Sequence, residues 1–457
     1  MKEKKITRRS LMGAAAGVAA FTIVPRHVLG GAGQTPPSEK INIAGVGIGG
    51  QGGADLRELS SQNIVALCDV DWAHAGGTFR RWPDARKYKD FREMLDKEDK
   101  NIDGVVVGTP DHLHAIVSMA AIKRNKHVYC EKPLTHTVRE ARMLADTARE
   151  HKVATQMGNQ GQATEEVRLL CETIWDGAIG QVREVHVWTD RPLHGTNEWY
   201  WPQGVDRPKG EDPIPESLNW DLWIGPAPMR PYKANPDNPR VGVYSPFVWR
   251  GWWDFGTGAL GDIGCHSLDP VFRALKLGHP ISVEACCTLV NNETYPVASR
   301  VTYEFPARGD LAPVTLHWYD GGMKPPRPAE LEDGRRWDTN GALYIGDKGK
   351  MLGGRLIPEA RQKEYGKPPQ KLERSPGHYM EWVIACKGGK PAGSNFPDHA
   401  GLLAQVVLLG NVAIRPELKA EKYLGTKLLW DGKEFKFTNV PEANKYLTKE
   451  YREGWAI

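Results

Sequence analysis

KINIAGVGIGGQGG, residues 40–53, is a short β-rich apolar run that breaks into glycines and leads straight into the helix-like ADLRELS, residues 54–60. Gly47, Gly49 and Gly52 fit the spacing G-x-G-x-x-G, and the overlapping register Gly45, Gly47 and Gly50 fits as well. Each part has a task in holding a dinucleotide. The first glycine allows the tight turn and the second lets the backbone approach a pyrophosphate. The third lets the helix pack close to the strand, with its N-terminus facing the phosphates. A second apolar run, NIVALC, ends in Asp69, 22 residues after Gly47. Its carboxylate is placed to accept hydrogen bonds from the adenosine ribose hydroxyls. A carboxylate there repels a 2′-phosphate, so NAD is favoured over NADP, although Arg80 and Arg81 farther on soften the preference.

Outward from this turn, residues 39–160 alternate apolar β-rich runs with amphipathic helical patterns, the signature of a parallel sheet with helices on both faces. EEVRLLCETIWDG then reads as a helix and REVHVWTD as an alternating strand. Residues 190–250 are rich in proline and tryptophan and read as long ordered loops. From residue 281 strands dominate without intervening helices (ISVEACCTLV, ASRVTYEF, PVTLHWYD, ALYIGD), which predicts a mostly antiparallel sheet. Amphipathic helices return at residues 378–389 and 399–414, and LLWDGKEFKFTN suggests a terminal hairpin. The expected class is α/β. It has three parts: a leading segment 1–33, a doubly wound domain 39–160 and a second domain 161–457.

The chain of 457 residues is 40% hydrophobic and 25% charged, ordinary for a globular protein with a large core. Its net charge of +4 is concentrated at the start, where residues 1–31 carry +5 and leave the remainder near −1. A near-neutral body without a basic tract gives no reason to expect nucleic acid. Thr7-Arg8-Arg9-Ser10-Leu11-Met12 holds paired arginines before an apolar stretch over residues 11–24, too short to span a bilayer comfortably and suited to a signal peptide. The paired arginines point to the bacterial pathway that exports folded proteins, hence to a periplasmic protein with no membrane insertion after signal removal. A general secretory signal or an uncleaved anchor fits the same stretch. The seven cysteines are scattered without C-x-x-C, so neither a disulfide framework nor a structural zinc site is expected.

In an open parallel sheet, ligands bind beyond the carboxyl ends of the strands. Two further strand ends carry polar residues there: Thr109-Pro110-Asp111-His112-Leu113-His114, and Glu131-Lys132-Pro133. Gly261-Asp262-Ile263-Gly264-Cys265-His266 opens a later helical stretch, in which Asp262 and His266, four apart, share one face. His112 and His114 lack a third metal ligand, and no metal is expected.

The glycine motif, TPDHLH, EKP and D-x-G-x-H, in this order, resemble the Gfo/Idh/MocA family of sugar and cyclitol oxidoreductases over nearly the whole chain after residue 33. The resemblance implies an N-terminal Rossmann domain and a C-terminal α/β domain with a large open sheet, which often makes subunit contacts, so a homo-oligomer is expected. It makes Lys132 the lysine that hydrogen-bonds the reacting hydroxyl, His266 the general acid/base, and Asp262 the neighbour that positions substrate or imidazole. It places Gly50, Gln51, Thr109, Pro110, His114 and Glu131 near the cofactor with Gly47, Gly49, Gly52 and Asp69. An imidazole is suited to take a hydroxyl proton near neutrality.

Eight of the sixteen tryptophans fall between Trp188 and Trp253. Aromatic faces suit sugar rings, and Arg250, Trp253 and Asp254 lie close in sequence to the D-x-G-x-H. With Asn159, at the end of the sixth apolar run, they are the candidate substrate contacts. The expected activity is an NAD(P)-dependent oxidoreductase acting on a carbohydrate or cyclitol. A second expectation follows from export, because free NAD is not maintained outside the cytoplasm. NAD would then be tightly bound, and the enzyme would cleave glycosides by transient oxidation, elimination and re-reduction. A third alternative is a non-catalytic carbohydrate-binding or NAD-sensing protein, which would have no need of the Lys132–His266 pair.

Overall fold

The computed structural model describes residues 36, 39–194, 198–419 and 426–457; the leading segment expected to be a signal lies outside them. Among the described residues no helix is long and apolar enough to cross a membrane.

Six strands form the first sheet: β1 (Asn42–Val46), β2 (Asn63–Cys68), β3 (Arg86–Tyr88), β4 (Gly104–Val107), β5 (His127–Glu131) and β6 (Thr155–Gly158). All pairs are parallel, in the order β3-β2-β1-β4-β5-β6. This is the doubly wound order whose direction reverses between β1 and β4, leaving a crevice above their carboxyl ends. Strand β4, GVVV, is buried throughout, which is why its sequence shows no alternation. The helices between the strands are α1 (Gln51–Glu58), α2 (Gly76–Arg81), α3 (Phe91–Glu98), α4 (Asp111–Ile122) and α5 (Val138–His151). Helix α5 starts at a reciprocal cap: Thr137 accepts from the Glu140 amide while the Glu140 carboxylate accepts from the Thr137 amide. Strand β3 has no counterpart in the sequence reading. It is a three-residue edge strand with two exposed charged side chains, Arg86 and Lys87, so it carries no apolar run. With β3 counted, Glu131 ends the fifth strand.

The second sheet has nine strands: β7 (Val182–Trp188), β8 (Ser282–Cys287), β9 (Ser299–Phe305), β10 (Val314–Tyr319), β11 (Gly341–Gly346), β12 (Lys350–Leu352), β13 (Arg355–Ile357), β14 (Leu428–Asp431) and β15 (Lys436–Phe437). Their order is β13-β12-β11-β7-β10-β9-β8-β14-β15. Every pair is antiparallel except β7 with β10. One face, with Val185, Val187, Val301, Leu316 and Trp318, joins the main core. Against it lie α6 (Glu165–Trp175), α7 (Gly258–Ser267) and α8 (Asp269–Leu275), followed later in the chain by α10 (Gly401–Ala413), whereas α9 (His378–Cys386) packs on the first sheet. Helix α10 corrects its sequence reading. It is buried on nearly every face, not amphipathic, because it is wedged between α5 of the first sheet and α7 of the second layer.

Tryptophans of the loop-rich stretch build a core of their own. Trp220 and Trp223 stack at 4.7 Å, with Tyr232, Tyr244, Trp252 and Phe255 around them. The late chain also returns to the first sheet. Trp382 on α9 is fully buried against the first sheet in the cluster with Ile43 and Tyr129, its ring 5.9 Å from that of Tyr129. The Tyr451 hydroxyl donates to Glu140 Oε1 at 2.8 Å. All seven cysteines are free thiols.

Replacing Trp382 by Ala removes the largest side chain joining α9 to the first sheet, so it should cost about 3–5 kcal/mol of unfolding free energy. Urea denaturation of the two proteins measures the difference, and a loss below about 1 kcal/mol would show that α9 is not an integral part of the first domain's core.

Candidate active site

The crevice above β1 and β4 opens into a cavity of about 500 Å³ that reaches the second half of the chain. Its floor at one end is the glycine turn. Gly47 has φ +75°, and a Cβ there would stand 2.5 Å from the Thr109 amide nitrogen, so only glycine lets the ends of β1 and β4 touch. Gly52 does not line the cavity. It lies beneath the turn, where a Cβ would fall 2.2 Å from the Gly47 carbonyl oxygen and push α1 away. Gly49, Gly50 and Gln51 line the cavity wall. Asp69 closes the turn from β2: its Oδ2 accepts from the amides of Ile48 (2.8 Å) and Gly49 (3.1 Å), and its Oδ1 from that of Asp71 (2.9 Å). Burial pushes the Asp69 carboxyl up to about 6, with those amides pulling the other way.

At the far end Lys132, Asp262, Arg250 and His266 meet on one wall. Lys132 Nζ donates to Asp262 Oδ1 at 2.7 Å, and Arg250 Nε donates to the same oxygen at 2.7 Å. Burial opposes ionisation of Asp262, but the two cations win and hold its carboxyl far below the carboxylate range. Asp262 and His266 sit one turn apart on α7, so both face the cavity. Burial, and then the positive charge of Lys132, lower the His266 imidazole to about 4. Arg250 is steadied from its other side: its guanidinium lies 4.1 Å from the Phe247 ring and 4.3 Å from the Trp249 ring.

Thr109, Pro110, His114 and Glu131 also line the cavity. His114 offers it no free ring nitrogen, since Nδ1 lies 2.7 Å from the Pro133 carbonyl and Nε2 2.7 Å from the Thr109 carbonyl. It ties together the ends of β4 and β5. His112 is spent in the same way on the carbonyls of Phe255 and Trp223. Glu131 accepts from Gln160 Nε2 at 2.7 Å; burial first, then Asp55, push its carboxyl well up.

Three candidate substrate contacts lie elsewhere. Asn159 is buried behind the wall and donates to Asp269 Oδ1 at 3.0 Å. Trp253 and Asp254 line a separate cavity of about 220 Å³. There the Trp253 ring lies 3.6 Å from that of Tyr295, tilted by 35°, and Asp254 pairs with Arg230. The single helical turn Val248–Gly251 is the reason: it aims Arg250 at the cavity and carries the next residues over to the opposite side. In their place the cavity is lined by Arg191, Tyr200, Trp223, Phe247 and Trp249, with Trp455 from late in the chain. For Tyr200, Trp223, Phe247 and Trp249 the signal in the sequence was the aromatic richness of residues 188–253; Arg191 and Trp455 had none.

The residues present fit a bound dinucleotide. The glycine turn lines the cavity, helix α1 starts beside it, and the Thr109 hydroxyl is buried without a hydrogen-bond partner at the junction. Gly47, Gly49, Gly50, Gln51 and Asp69 would hold the adenosine half, and the far wall would receive the nicotinamide.

Comparison with known proteins agrees. A family model described as "Oxidoreductase family, NAD-binding Rossmann fold" matches residues 40–159, and its companion, "Oxidoreductase family, C-terminal alpha/beta domain", matches residues 166–312; together they cover more than half of the chain. The chain is 31% identical over 147 residues to inositol 2-dehydrogenase of Salmonella typhimurium, covering 31% of this chain and 43% of that protein. It is 28% identical over 189 residues to glycosyl hydrolase family 109 protein 1 of a Shewanella species, covering 36% of this chain and 40% of that protein. The matched segments thus span less than half of these relatives. In fold it is similar to the WlbA dehydrogenase from Bordetella pertussis, solved with NADH and UDP-GlcNAcA, with TM-score 0.56 and 16% identity over 86% of this chain and 99% of that one.

With a carboxyl near 6, Asp69 is an ionised acceptor at pH 8 and protonated at pH 5. NAD should therefore bind more tightly at the higher pH. Asp69→Asn should weaken binding at pH 8 by roughly tenfold or more and flatten the pH dependence. Calorimetric titration with NAD at both values reads this, and an unchanged pH dependence in the variant removes Asp69 from the cofactor site.

Proposed function

The chain belongs to the Gfo/Idh/MocA oxidoreductase family, and from that premise we propose that it oxidises a secondary hydroxyl of a carbohydrate or cyclitol with NAD as hydride acceptor. The observation that carries this is the single cavity running from the glycine turn and Asp69 to Lys132, Asp262, Arg250 and His266. Bound NAD supplies the hydride acceptor, and the remaining work falls to side chains. Asp262 fixes the Lys132 ammonium, whose other N–H groups are free to donate to the reacting hydroxyl oxygen and stabilise charge developing there. His266 is neutral above about pH 4 and takes the hydroxyl proton. Arg250 also donates to Asp262, so it keeps that carboxylate ionised and the lysine in place. The rings of Tyr200, Phe247 and Trp223 offer apolar faces to the C–H surface of a sugar.

A second reading is favoured by the similarity to a glycosyl hydrolase family 109 protein. The same wall would serve a redox-neutral cleavage: a sugar carbon would give up hydride to bound NAD, the proton on the neighbouring carbon would pass to His266 and on to the departing glycosidic oxygen, water would add across the double bond so formed, and the hydride would return to the carbonyl carbon. Joined to export through the paired arginines Arg8 and Arg9, this reading requires a cofactor that stays bound.

Lys132→Ala and His266→Ala should each lower turnover by roughly a hundredfold or more with little change in NAD affinity. The acid limb of kcat/KM should fall near pH 4, where His266 gains its proton, not near its ordinary 6.5. Removing the lysine charge in Lys132→Met should move that limb to higher pH, because the imidazole then holds its proton more tightly. A limb that does not move excludes His266 as the group titrating.

Purified protein should be incubated with sugars and glycosides, with and without added NAD, while nicotinamide absorbance and product are followed together. One NADH per product, strictly dependent on added NAD, is the expected outcome for a dehydrogenase. Product without net NADH and without added cofactor establishes the redox-neutral cycle instead.

A further inference from the structure

On the face of the nine-stranded sheet turned away from the main core, three side chains converge far along the chain from the catalytic wall. Glu184 and His186 alternate on β7, and His317 lies on β10, in register opposite His186. Residues two apart on a strand share a face, and the neighbouring strand adds the third member. His186 Nε2 is 3.1 Å and His317 Nε2 3.2 Å from the same Glu184 oxygen, Oε1. The two imidazoles stack at 4.9 Å, and the three ligand atoms all lie within 4.8 Å of one another. The other nitrogen of each ring is already engaged. His186 Nδ1 lies 3.1 Å from the Tyr319 hydroxyl, and His317 Nδ1 lies 3.0 Å from the Thr302 hydroxyl. Without a cation each Nε2–H donates to Glu184 Oε1 and each Nδ1 accepts from its hydroxyl; when the rings switch so that each Nδ1–H donates to its hydroxyl, both Nε2 lone pairs and the carboxylate converge on one point and can share a cation.

We propose that Glu184, His186 and His317 form a binding site for a first-row divalent cation, zinc in the first instance. The donor set, two neutral imidazoles and one carboxylate, is the set zinc takes at three-ligand sites, with water in the fourth position. The hydroxyls of Tyr319 and Thr302 are the outer partners that fix ring orientation and tautomer. The imidazoles are buried while the Glu184 side chain is 40% exposed, so a hydrated ion enters past the carboxylate. Zinc bonds of about 2.0–2.2 Å bring tetrahedral donors to about 3.3–3.5 Å apart, so loading draws the rings together by a small tilt and cross-links β7 to β10. Arg300, on the neighbouring strand β9 and also registering with β10, is the cation facing the pair and opposes the ion; Glu184 offsets it. This site is separate from the catalytic wall and its ion plays no part in the proposed hydride transfer.

The test uses untagged full-length protein, stripped with a chelator, dialysed and titrated calorimetrically with zinc, with cobalt absorption as a second reading of coordination. One saturable equivalent per chain with a tetrahedral cobalt spectrum is expected. His317→Asn and Glu184→Gln should weaken that equivalent by roughly 100-fold or more, and Thr302→Val by about 10-fold through loss of an outer partner. Glu184→Gln changes a half-exposed side chain and keeps the fold, which circular dichroism verifies. His266→Ala should leave the equivalent intact, separating it from the catalytic wall. Absence of a saturable equivalent in the parent protein, or its survival in Glu184→Gln, overturns the proposal.

Discussion

One buried carboxylate holds the working parts of this molecule together. Asp262 sits between Lys132, carried by the first sheet, and Arg250, carried by the aromatic loops of the second half, and its Oδ1 accepts from both. Removing it would leave two cations facing each other with little water between them, and breaking a buried ion group by taking away one partner costs about 3–5 kcal/mol. Burial first, and then the Lys132 charge that Asp262 holds in place, lower the nearby His266 imidazole.

Around that contact the two halves divide the labour. The first sheet supplies a switch point, a glycine turn closed by Asp69 and two strand ends tied to each other through His114. The second half supplies α7, Arg250 and the aromatic wall. The halves are not independent bodies. Helix α10 packs on α5, Trp382 enters the core of the first domain, and the chain end bonds to Glu140. A cavity between domains joined so extensively is suited to a fixed arrangement of reacting groups, not to one assembled by large closure.

The open face of the nine-stranded sheet behaves differently. It is not covered by the helices, and it carries polar side chains in register across three strands, β7, β10 and β9, with the apolar Leu343 of β11 next in the row. Leu343, His186, His317 and Thr302 stand side by side, one from each of β11, β7, β10 and β9. Such a row is a consequence of pairing alone. It depends on β7 and β10 running parallel in one particular register, in a sheet that is otherwise antiparallel.

What was legible in the sequence was whatever local geometry fixes. The glycine turn, Asp69 at the next strand end, Lys132 after β5, and Asp262 with His266 one helical turn apart were all readable, because strand ends, tight turns and i, i+4 faces follow from short-range sterics. The α/β plan, a parallel sheet followed by a mostly antiparallel one, was readable for the same reason, from the change of hydrophobic period along the chain. Tertiary structure alone decided the rest. It turned Arg250 toward the cavity and Trp253 and Asp254 away from it, hid Asn159 behind Asp269, and brought in Arg191, Phe247 and Trp455. It also set His186 beside His317, although 130 residues separate them in the chain. These placements depend on long-range packing and strand register, and a linear pattern of apolar and polar residues does not specify which distant faces will meet.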